Sequence, residues 1–296
     1  MNFDPNYISS LASSISQSSA TEETLSNELS SGMSVSQVGD NPEAVTQGLA
    51  LGSAISRNDT FVQTASSASS GLQVTSSVMS EVVSQLTSAI SLATEAGNGT
   101  LNASNRSSMV AELQGIQSSL LSLANTNYQG QYIFGGSQGA TKPFSLNAAG
   151  QATYTGDGMQ QTVKTPGGQS LVTSVPGSSV FQGPGQDVFD GLSSLIADLQ
   201  SNTGGGAVST GSAELSSALQ NVSVQQSVVD TSLSQIQSVS TYTQTQTATM
   251  TAAQSSLVSA DIGKVTTQLS SAEMQNQALI SVVATLSKGS LFDYLK

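Results

Sequence analysis

The sequence predicts a mainly α chain with a β insertion: a long antiparallel helical bundle, paired coiled-coil terminal helices and a small antiparallel β domain. Two observations predict it. Apolar residues recur at alternating spacings of three and four at both ends of the chain and through most of its body, the signature of helices that each bury one narrow stripe. Between about Gln131 and Gly185 that period gives way to short β-prone runs punctuated by Gly and Pro, and the helical period resumes afterwards.

The first helix runs from about Phe3 to Leu29, with Ile8, Leu11, Ile15, Ser18, Glu22, Leu25 and Leu29 on one face. Ser18 and Glu22 weaken that stripe, which leaves room for a partner beyond the chain itself. Gly32 and Gly39 break the period, and Asp40-Asn41-Pro42-Glu43 then starts a second helix. Asp40 or Asn41 can cap it, Pro42 suits the first helical position, and Glu43 sits at the positive end of the helix dipole. Its stripe is Val62, Ala65, Ser69, Leu72, Thr75, Met79, Val82, Leu86, Ala89 and Ala93, ended by Gly97-Asn98-Gly99. Met109, Leu113, Ile116, Leu120, Leu123 and Asn127 line a third helix, which the short connection predicts to be antiparallel to the second.

The β insertion opens with Tyr128, Tyr132, Ile133 and Phe134 before Gly135-Gly136. After it, Val188, Leu192, Leu195 and Leu199 mark a short helix that Ser201–Gly206 ends. From Leu215 one heptad phase persists through Leu219, Val222, Gln226, Val229, Leu233, Ile236, Ser240, Thr243, Thr247, Met250, Gln254 and Leu257. Beyond Leu257 that phase would place Asp261 and Lys264 in the seam. The terminal stripe of Ile262, Val265, Leu269, Ala272, Asn276, Leu279, Val283 and Leu286 starts one position later, so a junction or kink is expected near Ser259–Asp261. Asn276 is the strongly polar member; a buried Asn costs stability but restricts register, because a slipped partner leaves its amide unpaired.

These elements divide the chain into an N-terminal coiled-coil helix (1–40), the first part of a helical body (41–130), a β-rich insertion (131–185), the second part of the body (186–260) and a C-terminal coiled-coil helix (261–296). The expected assembly seam is Ile8, Leu11, Ile15, Leu25 and Leu29 with Ile262, Val265, Leu269, Asn276, Leu279, Val283 and Leu286.

Composition narrows the function. With no Cys and no His, there is no thiolate nucleophile, no cysteine-based metal site and no Ser-His-Asp triad. The acids outnumber the bases 19 to 7, and the seven bases are scattered, so no basic stripe is available for phosphates and nucleic-acid binding is not expected. No run reaches the ~18–20 apolar residues of a membrane span, and the N-terminus has neither the basic nor the apolar region of a cleavable secretory signal. The glycine clusters lack the Lys-Ser/Thr of a phosphate loop, and Asp187 and Asp190 read as helix-dipole partners. No catalytic, metal or cofactor constellation emerges, and an enzyme is not expected.

Three segments carry a family resemblance. Leu29–Ala44 (LSSGMSVSQVGDNPEA) is similar to the N-terminal signature of the flagellin superfamily, with Met33-Ser34 where Lys-Arg is usual and Ser36-Gln37 where Asn-Ser is usual. Asn127–Gly136 (NYQGQYIFGG) and Ser290–Lys296 (SLFDYLK) resemble its hook–filament junction branch more than flagellin itself. The resemblance implies a structural adaptor of the bacterial flagellum that leaves the cell unfolded through the type III export channel with a dedicated chaperone. It implies an extracellular ring of copies whose paired terminal helices order on assembly and line a tube, with hook-associated protein 1 on one side and flagellin on the other. A flagellin-like filament subunit and a phage-type fibre with coiled-coil ends are the competing readings. The first would grow long polymers alone, and the second would pair copies of one helix in parallel.

Overall fold

The computed structural model describes residues 5–34, 41–97, 102–148, 150–183, 186–201 and 205–293. Three helices come first: α1 (Pro5–Ser31), α2 (Pro42–Gly97) and α3 (Ala103–Ala124). Short strands follow: β1 (Asn127–Tyr128), β2 (Gln131–Tyr132), β3 (Phe144–Leu146), β4 (Ala152–Tyr154), β5 (Thr162–Lys164) and β6 (Ser170–Val172). A single turn of helix, α4 (Gly177–Phe181), leads to β7 (Gln182–Gly183) and β8 (Gln186–Asp187), and then to α5 (Val188–Ser201), α6 (Gly205–Val258) and α7 (Ile262–Asp293). Asp40, the breaks at Asn98-Gly99 and Asn202–Gly204, and the final Tyr294-Leu295-Lys296 lie outside the described residues.

The helix boundaries follow local chemistry. Asn41 Oδ1 accepts from Ala44 N at 3.1 Å with Pro42 as the first helical residue, so α2 begins on a side-chain cap. Asn102 caps α3 through Asn105 N at 2.8 Å, and Asp261 caps α7 through Lys264 N at 3.1 Å. At the other end of α1, Gly32 takes a φ of +71°, a conformation that closes a helix cheaply only without a Cβ. The predicted phase jump coincides with a real interruption, because α6 stops at Val258 and α7 begins at Ile262.

Packing divides the chain into two units, Met1–Ser56 with Gln246–Lys296 and Arg57–Thr245. Both boundaries fall inside helices, within α2 and within α6, whereas the sequence suggested edges at the helix breaks. A break interrupts the backbone ladder, but a packing unit ends where the set of neighbours changes.

In the unit Arg57–Thr245, α2 buries Phe61, Ala65, Leu72, Met79, Val82, Leu86, Ala89 and Ala93. The expected stripe holds from Ala65 onward. Before it the buried residue is Phe61, not Val62, because the larger ring takes the core position. Opposite, α6 buries Leu215, Val222, Val229, Ile236 and Thr243, one face throughout. Ser76 Oγ donates to Asp230 at 2.7 Å and Gln226 Nε2 donates to Ser80 at 2.8 Å, so the two helices run antiparallel. The buried hydroxyls of Thr75 and Thr243 return to the carbonyls of Gly71 and Val239 in their own helices, which lets threonine occupy seam positions without an orphaned donor.

The β region is small and antiparallel, as expected, but it is not one sheet. Among the described residues it is four separate two-stranded antiparallel hairpins, β1–β2, β3–β4, β5–β6 and β7–β8. Strands of two or three residues are too short to build a sheet that stands alone. They are held instead by an aromatic cluster: Phe144 packs against Phe181, Tyr154 and Phe189 with centroids 4.9–5.9 Å apart, and Phe134 meets Phe181 edge-on at 5.2 Å. Phe189 belongs to α5, so this cluster is continuous with the helical core. Polar ties reinforce it. Asn125, at the end of α3, exchanges hydrogen bonds with Phe144 N and O at 2.9 and 3.0 Å, as a strand neighbour would. Gln117 of α3 and Ser193 of α5 both donate to the Gly150 carbonyl, at 3.0 and 2.8 Å. No helix among the described residues is long and apolar enough to cross a membrane.

Candidate assembly surface

In the unit formed by Met1–Ser56 and Gln246–Lys296, α1 packs along α7. Their direction is fixed at two levels. Asn276 Nδ2 donates to Ser19 Oγ at 3.2 Å in the middle of the helices. At the interrupted ends, Met33 and Ser259 form an antiparallel bridge, Ser34 N donates to Val258 O at 2.8 Å, and Ala260 N donates to Gly32 O at 2.9 Å. The helices are therefore antiparallel, and the two backbone interruptions are stitched to each other. Nearby, Gln254 Nε2 donates to the Gly48 carbonyl at 2.9 Å, tying the start of α2 to the end of α6.

The seam residues divide into three groups. Val265 and Ala272 of α7 are buried. Leu11, Ile15, Leu25 and Leu29 of α1 and Leu269, Asn276 and Leu279 of α7 are half-buried, the positions that the three-four spacing assigns to one face. Ile262 and Val283 are exposed, at 47% and 38%. Ile262 is the first residue of α7, and two helices cover a heptad seam from one side only. The side chains of Ile8 and Leu286 lie outside the described residues.

The middle of the pair is polar. Ser18 Oγ, Glu22 Oε1 and Asn276 Oδ1 are buried and take no hydrogen-bond partner among the described residues. Each such atom costs about 1–3 kcal/mol relative to a satisfied one. Beyond α1, α7 also carries Met274, Ile280 and Val282 exposed at 63%, 53% and 41%. Sequence reading missed these three because a heptad template marks the best-covered stripe only; summing apolar residues over the remaining face of α7 would have found them. It also missed the stitch at Gly32–Ser34, for which the one signal was that the break after α1 and the break before α7 lie at matching ends of two pairing helices.

Residues 6–139, from α1 through the β1–β2 hairpin and the turn after it, match the bacterial flagellin N-terminal helical region. The flagellar hook-associated protein 3 of Salmonella typhimurium is 31% identical over 170 residues, covering 57% of this chain and 53% of that protein. The chain is thus similar to flagellar hook-associated protein 3 over about half of its length, and to the flagellin N-terminal region over its first helices. It spans about half the length of the curated relatives it matches. Two solved structures share its fold. A flagellar hook-associated protein from Vibrio parahaemolyticus superposes with a TM-score of 0.68 at 17% identity, covering 74% of this chain and 100% of that one. Hook-associated protein 3 from Legionella pneumophila gives 0.64 at 17% identity, covering 70% and 98%. At these identities the superpositions speak for the architecture alone.

Proposed function

We propose that this chain is a structural adaptor subunit of the bacterial flagellum, joining the hook-associated region to the flagellin filament and assembling through α1 and α7. The observation that carries the reading is the incompleteness of the terminal pair. An antiparallel pair that leaves Met274, Ile280, Val282 and Val283 in water and three buried acceptors unmet gains on association, because further helices remove apolar area from water and bring donors. The partners in this reading are copies of the same chain in a ring, hook-associated protein 1 on one side and flagellin on the other. A flagellar chaperone accompanies it before export, and its place is the extracellular hook–filament junction. No catalytic step is assigned to it.

The flagellin-type N-terminal region also suits a filament subunit, and position along the flagellum separates the two. Immunogold against the chain is expected to give one band between hook and filament in cells that rely on it for swimming. Label along the whole filament would replace the adaptor with a filament subunit. Label absent from the flagellum would remove both.

A further inference from the structure

We infer that the cleft between α2 and the β1–β2 and β5–β6 hairpins is a binding site for a neutral saccharide. The site lies wholly within the unit Arg57–Thr245 and is independent of the adaptor reading. The cleft is half open to solvent and offers about 330 Å³, at the lower end of the range of small-molecule sites. In a chain of net charge −12, no Asp, Glu, Lys or Arg lines it among the described residues. Its walls carry instead Tyr128, Tyr132, Gln129, Gln131 and Gln161, with Ser and Thr hydroxyls from α2 and from Thr173-Ser174 just after β6.

That inventory selects a ligand class. A phosphate or carboxylate would meet no cation, and an ammonium would meet no carboxylate. A purely apolar ligand would strip water from three carboxamides without replacing their hydrogen bonds. A ring bearing C–H faces and adjacent hydroxyls matches both parts of the wall. Tyrosine offers an apolar face with a polar edge, and carboxamides and hydroxyls each present donors and acceptors.

The turn above the cleft supplies a second, independent observation. Gln129 has a φ of +53° and Gly130 a φ of +83°, the two left-handed central residues of a tight hairpin turn, for which Gly, Asn and Asp are the ordinary choices. Gln129 is the one non-glycine residue at positive φ among the described residues. A strained residue held where glycine would sit freely points to a role for its side chain. That side chain donates through Nε2 to the Tyr128 hydroxyl at 3.2 Å. The hairpin beneath is fixed by Gly130 N donating to Asn127 Oδ1 at 2.9 Å and Tyr132 N donating to Gly139 O at 2.8 Å, so the wall is formed before a ligand arrives.

The test uses the purified full chain, an array of neutral oligosaccharides anchored at their reducing ends, and calorimetry with the soluble members of the best class. Saturation by soluble oligosaccharide identifies a free sugar as ligand; binding confined to the array identifies the tip of a longer glycan. Gln129→Gly is expected to weaken binding by about tenfold, the loss of one direct polar contact, while melting temperature stays level or rises. Tyr128→Ala is expected to remove binding with helical content retained. Should Tyr128→Ala fail to fold, Gln129→Gly carries the test, because glycine suits the turn. Binding to no neutral saccharide, preference for charged glycans, or affinity indifferent to Gln129→Gly would each overturn the inference.

Discussion

Asp157, in a turn, and Asp187, at the start of α5, belong to the same unit, and their surroundings shift the two carboxyls in opposite directions. Asp157 accepts from the Ser137 hydroxyl and from Ser137 N at 2.7 Å, and from Met159 N at 3.2 Å. These bonds hold its carboxyl below the ordinary 3.8. Its contribution to stability is therefore present above pH 3.8 and is lost as pH falls through the lower folded value. Burial raises Asp187, against the opposing effect of the Asp190 and Phe189 backbone N–H groups it caps. Its contribution is fully present below pH 3.8 and is lost as pH rises through its raised folded value. Asp157→Asn should therefore flatten the acid limb of a thermal-stability profile. Asp187→Asn, which can still cap α5, should be neutral or stabilising at pH 7. Melting curves from pH 3 to pH 8 for the two variants check both signs; an acid limb unchanged by Asp157→Asn would dissociate this carboxylate from the turn. Neither role was legible beforehand in full. Asp187 at a helix start is a sequence pattern, and the dipole reading of it matches the cap. The Asp157–Ser137 clamp joins residues 20 apart and depends on the Gly136 turn at φ +69°, where a Cβ would collide with Asp157.

At the scale of the element, the antiparallel α1–α7 pair brings the two predicted stripes to one interface because both carry the same alternation of three and four. The polar middle was legible as well, since Ser18, Glu22 and Asn276 interrupt that alternation. What periodicity does not encode is the outer face of α7 or the stitch between the two helix interruptions, which arise only once the helices are side by side. Asn276→Leu removes an acceptor that has no partner and a bond to Ser19. It should raise the stability of the pair by roughly 1 kcal/mol while permitting slipped registers. Thermal unfolding of α1 and α7 with self-association by sedimentation checks this, and a less stable, strictly monomeric variant would contradict it. Leu279→Asp puts an unpaired charge in the half-buried seam and, on the adaptor reading, should abolish incorporation into the flagellum with the unit Arg57–Thr245 unchanged. Swim-plate diameter and circular dichroism read the two halves of that statement.

For the whole molecule, the division of labour differs from the one the sequence suggested. Gly and Pro punctuation made the stretch from about Gln131 to Gly185 read as an insertion between two parts of a helical body. Turn residues report backbone direction, however, and say nothing of where the apolar side chains between them go. Phe144, Leu171, Val175, Val180 and Phe181 of that stretch are each at most 2% exposed and belong to the core shared with α2, α3, α5 and α6. Gly177 is pressed so closely against Phe144 that a Cβ would come within 2.6 Å of the ring, and its N–H donates to Phe134 O at 2.9 Å. Truncating one such ring costs about 3–5 kcal/mol, a large part of the ~5–15 kcal/mol that holds a domain together. Replacing Gln138–Gln182 with a short Gly/Ser linker removes all five residues and should leave the unit Arg57–Thr245 without a cooperative transition. Deleting Asp261–Lys296 removes no residue of that unit, and its cooperative transition should survive along with its helicity. Urea titrations followed by circular dichroism compare the two: a sharp transition is expected for the truncation and a broad, early one for the linker variant. The reverse ranking would mean that the hairpins are passengers and that the terminal helix holds the main core together.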